Sequence, residues 1–397
     1  MPTRRHDIDA LRALAFALVI LYHVAMYYVA GWHWHLKSPE AVEWLQAPMR
    51  ALNLWRMDLV FLISGLALGF LLRGRSASGL LGQRSLRLLL PLAFGMAVVV
   101  PFQPYAQALA NGTIGPGFLD FLRRYFTGGP WPRGAFDGSD FGVTWNHLWY
   151  LAYLWTYTAA LLLLLPLIDG RHGARLRGAF LALRGWKLVV LPLAPLALAS
   201  LLLWPHFPPT RDLIGDGWLH AVYFTLFLYG YWIGVDAGWW DEVTRLRWKL
   251  LGLMIAALAL HFALRALAGQ PGLAARLAAD VYLWTTVLCV LGWSHRLLNR
   301  PWPWLAWANE QVYPWYVLHQ TVIIVVVFWL APLRLDVAVE APLLVALTTA
   351  GCWGLTAIIR RSAWLRPLFG LKARVRPPAP PRYPSPTSPA HPSGRSV

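Results

Sequence analysis

Charged side chains are scarce in this sequence. Only 13% of its 397 residues are Asp, Glu, Lys or Arg, whereas 58% are hydrophobic, and an ordinary soluble domain carries about twice that share of charge. A chain of this composition lacks the polar residues to cover its own surface in water, which excludes a soluble globular fold. It predicts a protein that folds in a lipid bilayer, where apolar side chains face outward as well as inward.

Cysteine is scarce too, and both cysteines, Cys289 and Cys352, lie in separate apolar runs. They form no disulfide framework and no metal-ligand spacing, so we expect no metal site. The formal net charge is +17, but no soluble basic segment exists that would bind nucleic acid. A cleavable signal peptide is not predicted either, because the first apolar run contains Arg12 and His23 and lacks a small-residue cleavage site.

Apolar stretches of membrane-spanning length are abundant. Because about twenty apolar residues cross the hydrocarbon core as a helix, ten stretches near this length predict an all-α polytopic bundle with an internal cavity. The stretches are 10–30, 52–72, 86–104, 147–168, 187–204, 218–235, 250–268, 280–297, 311–331 and 340–359. We assign residues 1–370 to this transmembrane domain and expect the Pro/Ser-rich residues 371–397 to form a disordered tail.

The distribution of basic residues predicts the orientation. If the N-terminus is cytoplasmic, 24 of the 35 Lys and Arg residues fall on the cytoplasmic side and nine on the opposite side. Cytoplasmic loops of membrane proteins carry such an excess. We therefore predict that the N-terminus and the tail both lie in the cytoplasm.

Two ionisable residues in the first stretch are the leading candidates for function. Arg12 and His23 are eleven positions apart, close to three helical turns, so they share one face and lie about 16 Å apart along the axis. Ionisable side chains within a membrane usually line a cavity and have a function. The alternative is an arginine that snorkels to the surface and a histidine that bonds to a neighbouring helix.

Other polar residues in or beside the stretches are further candidates. A simpler interpretation stays open for each group: helix packing for a Ser-Gly step, membrane topology for a basic pair, and interfacial anchoring for the histidines. They are Arg56, Ser64 and Gly65 in the second stretch, Arg84 and Arg87 at the third, His147 at the fourth, and Tyr313 and His319 in the ninth.

Taken in order, these motifs resemble the family-three membrane acyltransferases from about residue 5 to 365. The family's opening helix has an Arg and a His separated by ten residues, as Arg12 and His23 are in "DIDALRALAFALVILYH". "VFLISG" is similar to its Ser-Gly helix, and the basic start of helix 3 matches Arg84 and Arg87. "HLWYL" and "YPWYVLHQ" look like its helix-4 opening and its late Tyr…His motif.

The resemblance implies an integral membrane O-acyltransferase in a bacterial cytoplasmic (inner) membrane. It would move an acetyl or succinyl group from cytoplasmic acyl-CoA, a co-substrate and not a bound cofactor, to a hydroxyl of an extracytoplasmic carbohydrate such as a glucan. "WHWHLKSPE", "WRMDLVFLISG" and "SHRLLN" look most like the branch that succinylates periplasmic glucans. Oligomeric state is not predicted.

The resemblance also suggests roles for the candidates. His23 would be the general base, or would carry an acyl-His intermediate, and Ser64 or the backbone at Gly65 would stabilise the oxyanion. Arg12, Arg84 and Arg87 would bind the CoA phosphates. Arg56 would hold the distal carboxylate of a succinyl group, and the other substrate contacts would be His147, Tyr313 and His319.

A second hypothesis is a transporter or flippase for an anionic or lipid-linked solute. Such a protein would use the same intramembrane Arg and His as a substrate path. The shared Arg/His face and the lack of a detectable inverted repeat weigh against it.

Overall fold

The computed structural model describes residues 5–234, 236–268 and 272–372. Within these ranges the protein is mostly helical and contains no β-strand, so the predicted all-α class is confirmed. The α-helices are α1 (His6–Tyr28), α2 (Gln46–Asn53), α3 (Arg56–Leu72), α4 (Ala77–Phe94), α5 (Phe102–Ala110), α6 (Phe118–Phe126), α7 (Trp149–Ile168), α8 (Arg171–Leu181), α9 (Trp186–Val190), α10 (Leu193–Leu202), α11 (Gly217–Ile233), α12 (Ala237–Ala268), α13 (Leu273–Leu298), α14 (Leu305–Leu330), α15 (Val337–Arg361) and α16 (Leu365–Leu368).

Each of the ten predicted stretches coincides with one helix or with consecutive helices. In the part of the chain that the structure describes, seven helices are long and apolar enough to cross a membrane, and α4 with α5 makes an eighth if this pair, bent by 42°, is one span. The other two stretches are the short apolar segment α9–α10 and α11, which has 17 residues. The protein is a multi-pass helical bundle. The predicted tail lies outside the described residues from residue 373 onward.

The bundle has two distinct ends. We call the end where α1 begins the inner end and the end where α1 finishes the outer end. At the inner end, Asp7 is fully buried between Arg5 and His295, and the Arg5 guanidinium lies 3.8 Å from the centre of the Trp240 ring. The long irregular segments 29–42, 127–148 and 203–216 all lie at the outer end.

Two glycines bring α3 and α11 into backbone contact. A Cβ atom on Gly65 would lie 1.8 Å from the carbonyl oxygen of Phe227, and one on Gly230 would lie 1.9 Å from that of Leu62. No side chain fits into either gap, and small residues at such crossings let membrane helices approach closely. The Ser-Gly step therefore holds α3 against α11 and fixes which side of α3 faces the interior.

Candidate active site

A cavity of about 1350 Å³ enters the bundle from the outer end. Residues of the outer segments 31–35, 137–146 and 209–212 line its mouth. His23, Arg56, His147, Tyr150 and Tyr316 line its deeper part. This volume exceeds the roughly 300–1000 Å³ of a site for a drug-sized ligand, so the cavity has room for a substrate larger than one acyl group.

Two histidines meet in the deep part of this cavity in an arrangement that fixes their protonation. His319 Nδ1 lies 2.8 Å from the carbonyl oxygen of Tyr316, and since a carbonyl only accepts, Nδ1 is protonated and Nε2 has the lone pair. That Nε2 lies 3.2 Å from His23 Nδ1, which also lies 2.8 Å from the Val19 carbonyl oxygen. Both partners of His23 Nδ1 are acceptors, so His23 Nδ1 donates and His23 Nε2 is the basic nitrogen.

His23 Nε2 is the atom of this pair that is available for chemistry. Among residues 5–234, 236–268 and 272–372 no group forms a hydrogen bond with it, and His23 lines the cavity. A general base needs an unprotonated nitrogen that substrate can reach. His319 is 1% exposed and does not line the cavity, so its position is that of a group that orients His23.

The third histidine of this layer, His147, has both ring nitrogens engaged. Its Nε2 lies 3.1 Å from the Val317 carbonyl oxygen and donates to it, and its Nδ1 accepts from Gln103 Nε2 at 3.3 Å. The His147 and His319 rings pack edge to face with centroids 5.0 Å apart. In the described chain, no three His, Cys, Asp or Glu side chains form a group that could hold a metal ion.

A network of amides and imidazoles fills the space between this layer and the cavity mouth. His35 Nδ1 donates to Gln107 Oε1 at 2.7 Å, and Gln320 Nε2 donates to His35 Nε2 at 2.9 Å and to Gln103 Oε1 at 3.0 Å. Gln107 Nε2 also donates to Asp137 at 3.2 Å. Burial lowers the pKa of the His35 imidazole, which suits a ring that donates with one nitrogen and accepts with the other.

The sequence interpretation missed this network, although its signal is visible. Gln103 and Gln107 are four residues apart in an apolar stretch and so share a helix face, and Gln320 follows His319 directly. A π-helical segment, Gly95–Val99, precedes α5, and such segments are frequent at functional sites. Thr321 Oγ1 donates to the Val99 carbonyl oxygen at 2.8 Å, and Met96 of this segment lines the cavity.

Arg56 lies in the cavity wall with much of its hydrogen-bonding capacity unused. Its side chain is buried and stacks on the Tyr22 ring at 3.5 Å. Its Nε and Nη1 are buried, and within the described ranges neither has a hydrogen-bond partner. A guanidinium in this state is prepared to bind an anionic or strongly polar group. Tyr22 packs on His23 with ring centroids 5.7 Å apart, which puts Arg56 on the same side of the cavity as the candidate base.

Ser64 and Gly65 are placed differently. The Ser64 hydroxyl donates to the Val60 carbonyl oxygen at 2.7 Å, so the Tyr150 hydroxyl, also 2.7 Å away, donates to Ser64 Oγ. Ser64 does not line the cavity, whereas Tyr150 does. Gly65 faces the backbone of α11, as described above. The structure therefore does not bring Ser64 or Gly65 against His23.

An aromatic floor separates the cavity from the inner end. Phe16, Tyr150 and Tyr316 form it, with ring centroids 5.5 Å (Phe16 to Tyr316) and 5.9 Å (Tyr150 to Tyr316) apart. Tyr150 is within electrostatic range of Arg84 and Arg12, neither of which lines the cavity. This floor lies between the candidate base and the inner arginines.

The inner arginines differ in their surroundings. Arg12 donates to Asn309 Oδ1 from Nε at 3.1 Å and from Nη2 at 2.5 Å. Arg84 Nε is buried, and no described group accepts from it. Arg87 is exposed, and its carbonyl oxygen accepts from the Tyr313 hydroxyl at 2.8 Å. Apart from Ser64 and Gly65, the predicted site residues therefore form two groups, one around the deep cavity and one at the inner end.

Comparison with known proteins agrees with the resemblance noted in the sequence. The model of the family Acyl_transf_3, described as an acyltransferase domain, matches residues 5–357. No curated protein and no solved structure gave a match. The match spans every helix that contributes to the cavity and nearly all of the described chain. The protein therefore belongs to this acyltransferase family, and it is a multi-pass membrane acyltransferase.

Proposed function

We propose that the protein is an O-acyltransferase that moves an acetyl or succinyl group from cytoplasmic acyl-CoA to a carbohydrate hydroxyl at the outer end of the bundle. The inner end would face the cytoplasm of a bacterium and the outer end the periplasm. The observation that carries the proposal is the free Nε2 of His23, which faces a cavity open at the outer end. The family assignment disfavours the transporter hypothesis, because it supplies a transfer chemistry for the same residues.

The proton transfer would be carried out by His23. Its Nε2 takes the proton of the acceptor hydroxyl as the oxygen attacks the thioester carbonyl carbon, and the imidazolium returns that proton to the departing thiolate of CoA. His319 holds the ring by accepting from Nδ1. A proton on Nδ1 and a lone pair on Nε2 suit a general base and a nucleophile alike, so the acyl-His intermediate stays an alternative to direct base catalysis.

The developing oxyanion needs a donor near the carbonyl carbon. The Ser64 proton is committed to Val60, and the Gly65 backbone belongs to the contact with α11. Arg56 has two buried nitrogens without described partners and lies beside Tyr22 and His23. We therefore propose that Arg56, and not Ser64, stabilises the oxyanion. If the transferred group is succinyl, as in the branch that the motifs resemble, its distal carboxylate would compete for the same guanidinium.

The carbohydrate acceptor is supported by what lines the cavity. Flat indole rings offer surfaces on which the C–H face of a sugar packs, and amide and imidazole side chains hydrogen-bond to hydroxyls. The indoles that line the cavity are Trp32, Trp34, Trp145, Trp149, Trp204 and Trp218. Polar lining groups on the mouth side include His33, His35, Asn146 and Gln320.

Donor binding is assigned to the inner end. The CoA phosphates need cations there, and Arg12, Arg84 and Arg87 supply them. The acyl-bearing thioester would have to pass the aromatic floor to reach His23, so Phe16, Tyr150 and Tyr316 must move apart during turnover.

A sided assay tests the proposal. The protein would be reconstituted into vesicles with acetyl-CoA or succinyl-CoA, labelled in the acyl group, on one side and a gluco-oligosaccharide on the other. We expect label in the oligosaccharide only when donor and acceptor face the inner and outer ends, respectively. Label that never leaves CoA, or oligosaccharide that crosses the membrane unmodified, would reject the proposal, and the second outcome would restore the transporter hypothesis.

A further inference from the structure

The outer end has few basic residues, yet its arginines gather at the cavity. Nine Lys and Arg residues lie at this end, and four of them line the cavity: Arg50, Arg211, Arg265 and Arg276. Topology accounts for the scarcity of basic residues at this end but not for the position of those that remain. The presence of four of these nine basic residues in the cavity wall therefore needs a separate explanation.

Three of these arginines surround one buried histidine. His261 is 4% exposed and lies within electrostatic range of Arg50, Arg265 and Arg276. Its Nδ1 donates to the Ala275 carbonyl oxygen at 2.7 Å, and its Nε2 is buried without a partner among the described residues. We call Arg50, Arg265, Arg276 and His261 the basic pocket. All four line the same cavity as His23.

The carboxylates near the basic pocket do not neutralise it. Arg276 pairs with Asp280 at 2.9 Å, and the Arg276 guanidinium also lies over the Trp204 and Trp218 rings. Asp58 is buried nearby, with Oδ1 lacking a described partner. Neither Arg50 nor Arg265 forms an ion pair with any carboxylate of the described chain. Two carboxylates thus face these three arginines and Arg56.

Helix ends offer a simpler account of two of the arginines. Arg50 is in the last turn of α2 and Arg265 in the last turn of α12, where a cation interacts favourably with the helix dipole. That interaction requires only that each side chain stay near the carbonyl groups at the end of its own helix. It does not explain why Arg50 and Arg265 approach each other and share the neighbour His261 with Arg276, since like charges in a partly desolvated cavity repel. A bound anion would remove the repulsion.

We propose that the basic pocket binds an oxyanion substituent, phosphoryl or carboxyl, on the carbohydrate acceptor. The inference rests on the proposed function and narrows its substrate class to anionic glycans. The guanidinium groups would hold the oxyanion in paired hydrogen bonds, the Trp204 and Trp218 rings would carry the adjoining sugar, and His261 Nε2 would accept from one of its hydroxyls. Asp58 is within electrostatic range of both Arg276 and Arg56, so the pocket adjoins the part of the cavity that contains His23.

Matched acceptors test the inference. Transfer to a neutral gluco-oligosaccharide would be compared with transfer to the same oligosaccharide bearing a phosphate or a uronic carboxylate. We expect the anionic acceptors to have the lower KM. Removing one charge-assisted contact should raise that KM by roughly 10- to 100-fold in Arg265→Gln or Arg50→Gln while the KM for the neutral acceptor stays unchanged. Arg133→Gln, which removes an exposed outer-end charge, is the control for general electrostatics.

Three outcomes would overturn the inference: equal KM values for neutral and anionic acceptors in the wild type, equal effects of Arg265→Gln and Arg133→Gln, or a preference for anionic lipid over anionic glycan. A binding arm without catalysis separates this inference from the proposed function. Calorimetric titration of the purified protein with glucose 6-phosphate should show binding that Arg265→Gln weakens. If the sugar phosphate binds but acyl-CoA acylates no carbohydrate, the proposed function fails and the pocket stands.

Discussion

His23 and Ser64 occupy neighbouring helices and come from the two most recognisable motifs of the chain, yet the structure uses them in opposite ways. His23 has one nitrogen held by His319 and the Val19 backbone, and its other nitrogen faces the cavity. The Ser64 hydroxyl donates to the Val60 carbonyl oxygen and accepts from the Tyr150 hydroxyl, and Ser64 does not line the cavity. An uncommitted polar atom that faces solvent can do chemistry, whereas a fully committed one stabilises the helix that carries it.

The largest fall in kcat is expected when His23 is replaced. His23→Gln keeps a polar side chain but removes the base, and general base catalysis contributes about 10²- to 10⁴-fold, so kcat should fall by that factor. The measurement is steady-state transfer by detergent-purified protein, with His206→Gln, a change in an exposed loop histidine, as the matched control. Activity within a few-fold of the wild type would mean that the base lies elsewhere.

A second prediction concerns the inner end, where loss of an arginine should weaken donor binding and leave acceptor binding unchanged. Arg84→Ala removes a guanidinium whose Nε lacks a described partner, and loss of a charge-assisted contact to a phosphate should raise the donor KM by about 10- to 100-fold. The acceptor KM should not change. Arg84→Lys should recover only part, because a point charge does not reproduce the guanidinium fork.

The competing view is that Arg84 only fixes the topology. The variant protein would then insert wrongly or be degraded, and its correctly inserted fraction would have the wild-type donor KM. Donor KM values of purified, folded Arg84→Ala protein distinguish the two views. Arg75→Ala is a suitable control, because Arg75 is an exposed inner-end arginine just before α4.

A smaller effect is expected for His319, which we assign as a positioning residue. His319→Leu should lower kcat about tenfold without changing either KM, because it removes the acceptor that orients His23 Nδ1, and a misplaced reacting group costs rate and not affinity. His319→Asn, whose amide oxygen also accepts, should recover part of the loss. A purely structural role would instead lower the stability of both variants and change kcat only through the folded fraction.

The fold could be predicted from the sequence because its signal is local. Each stretch of about twenty apolar residues became a helix or a pair of helices. The two that formed short helices carry Pro192 and Pro195 in α9–α10, and Gly230 and Gly234 at the end of α11. Helix rotation was not predictable, because in a membrane both faces of a helix are apolar and periodicity no longer marks the interior. The α3–α11 contact, which turns Ser64 away from the cavity, depends on Gly230, more than 160 residues further along the chain.

Part of the site was also predictable, because the signal of those residues is local too. His23 and Arg56 stood out because ionisable residues are rare in lipid, and both line the cavity. The basic pocket did not stand out, because Arg50, Arg265 and Arg276 belong to three separate helices and each looks like an ordinary residue at a helix end. Only the tertiary arrangement brings them around His261.

The smallest expected effect on activity belongs to Ser64. Ser64→Ala removes the acceptor of the buried Tyr150 hydroxyl, which should lower the free energy of unfolding by about 1–3 kcal/mol. The effect on kcat should stay within about threefold, whereas loss of an oxyanion donor typically lowers kcat by about 10²- to 10³-fold. Thermal unfolding and transfer rates measured on one preparation give both quantities. The double variant Ser64→Ala/Tyr150→Phe should regain part of the stability, because no buried donor is then left unpaired. A hundredfold fall in kcat for Ser64→Ala at unchanged stability would return the oxyanion role to Ser64 and would require α3 to rotate during turnover.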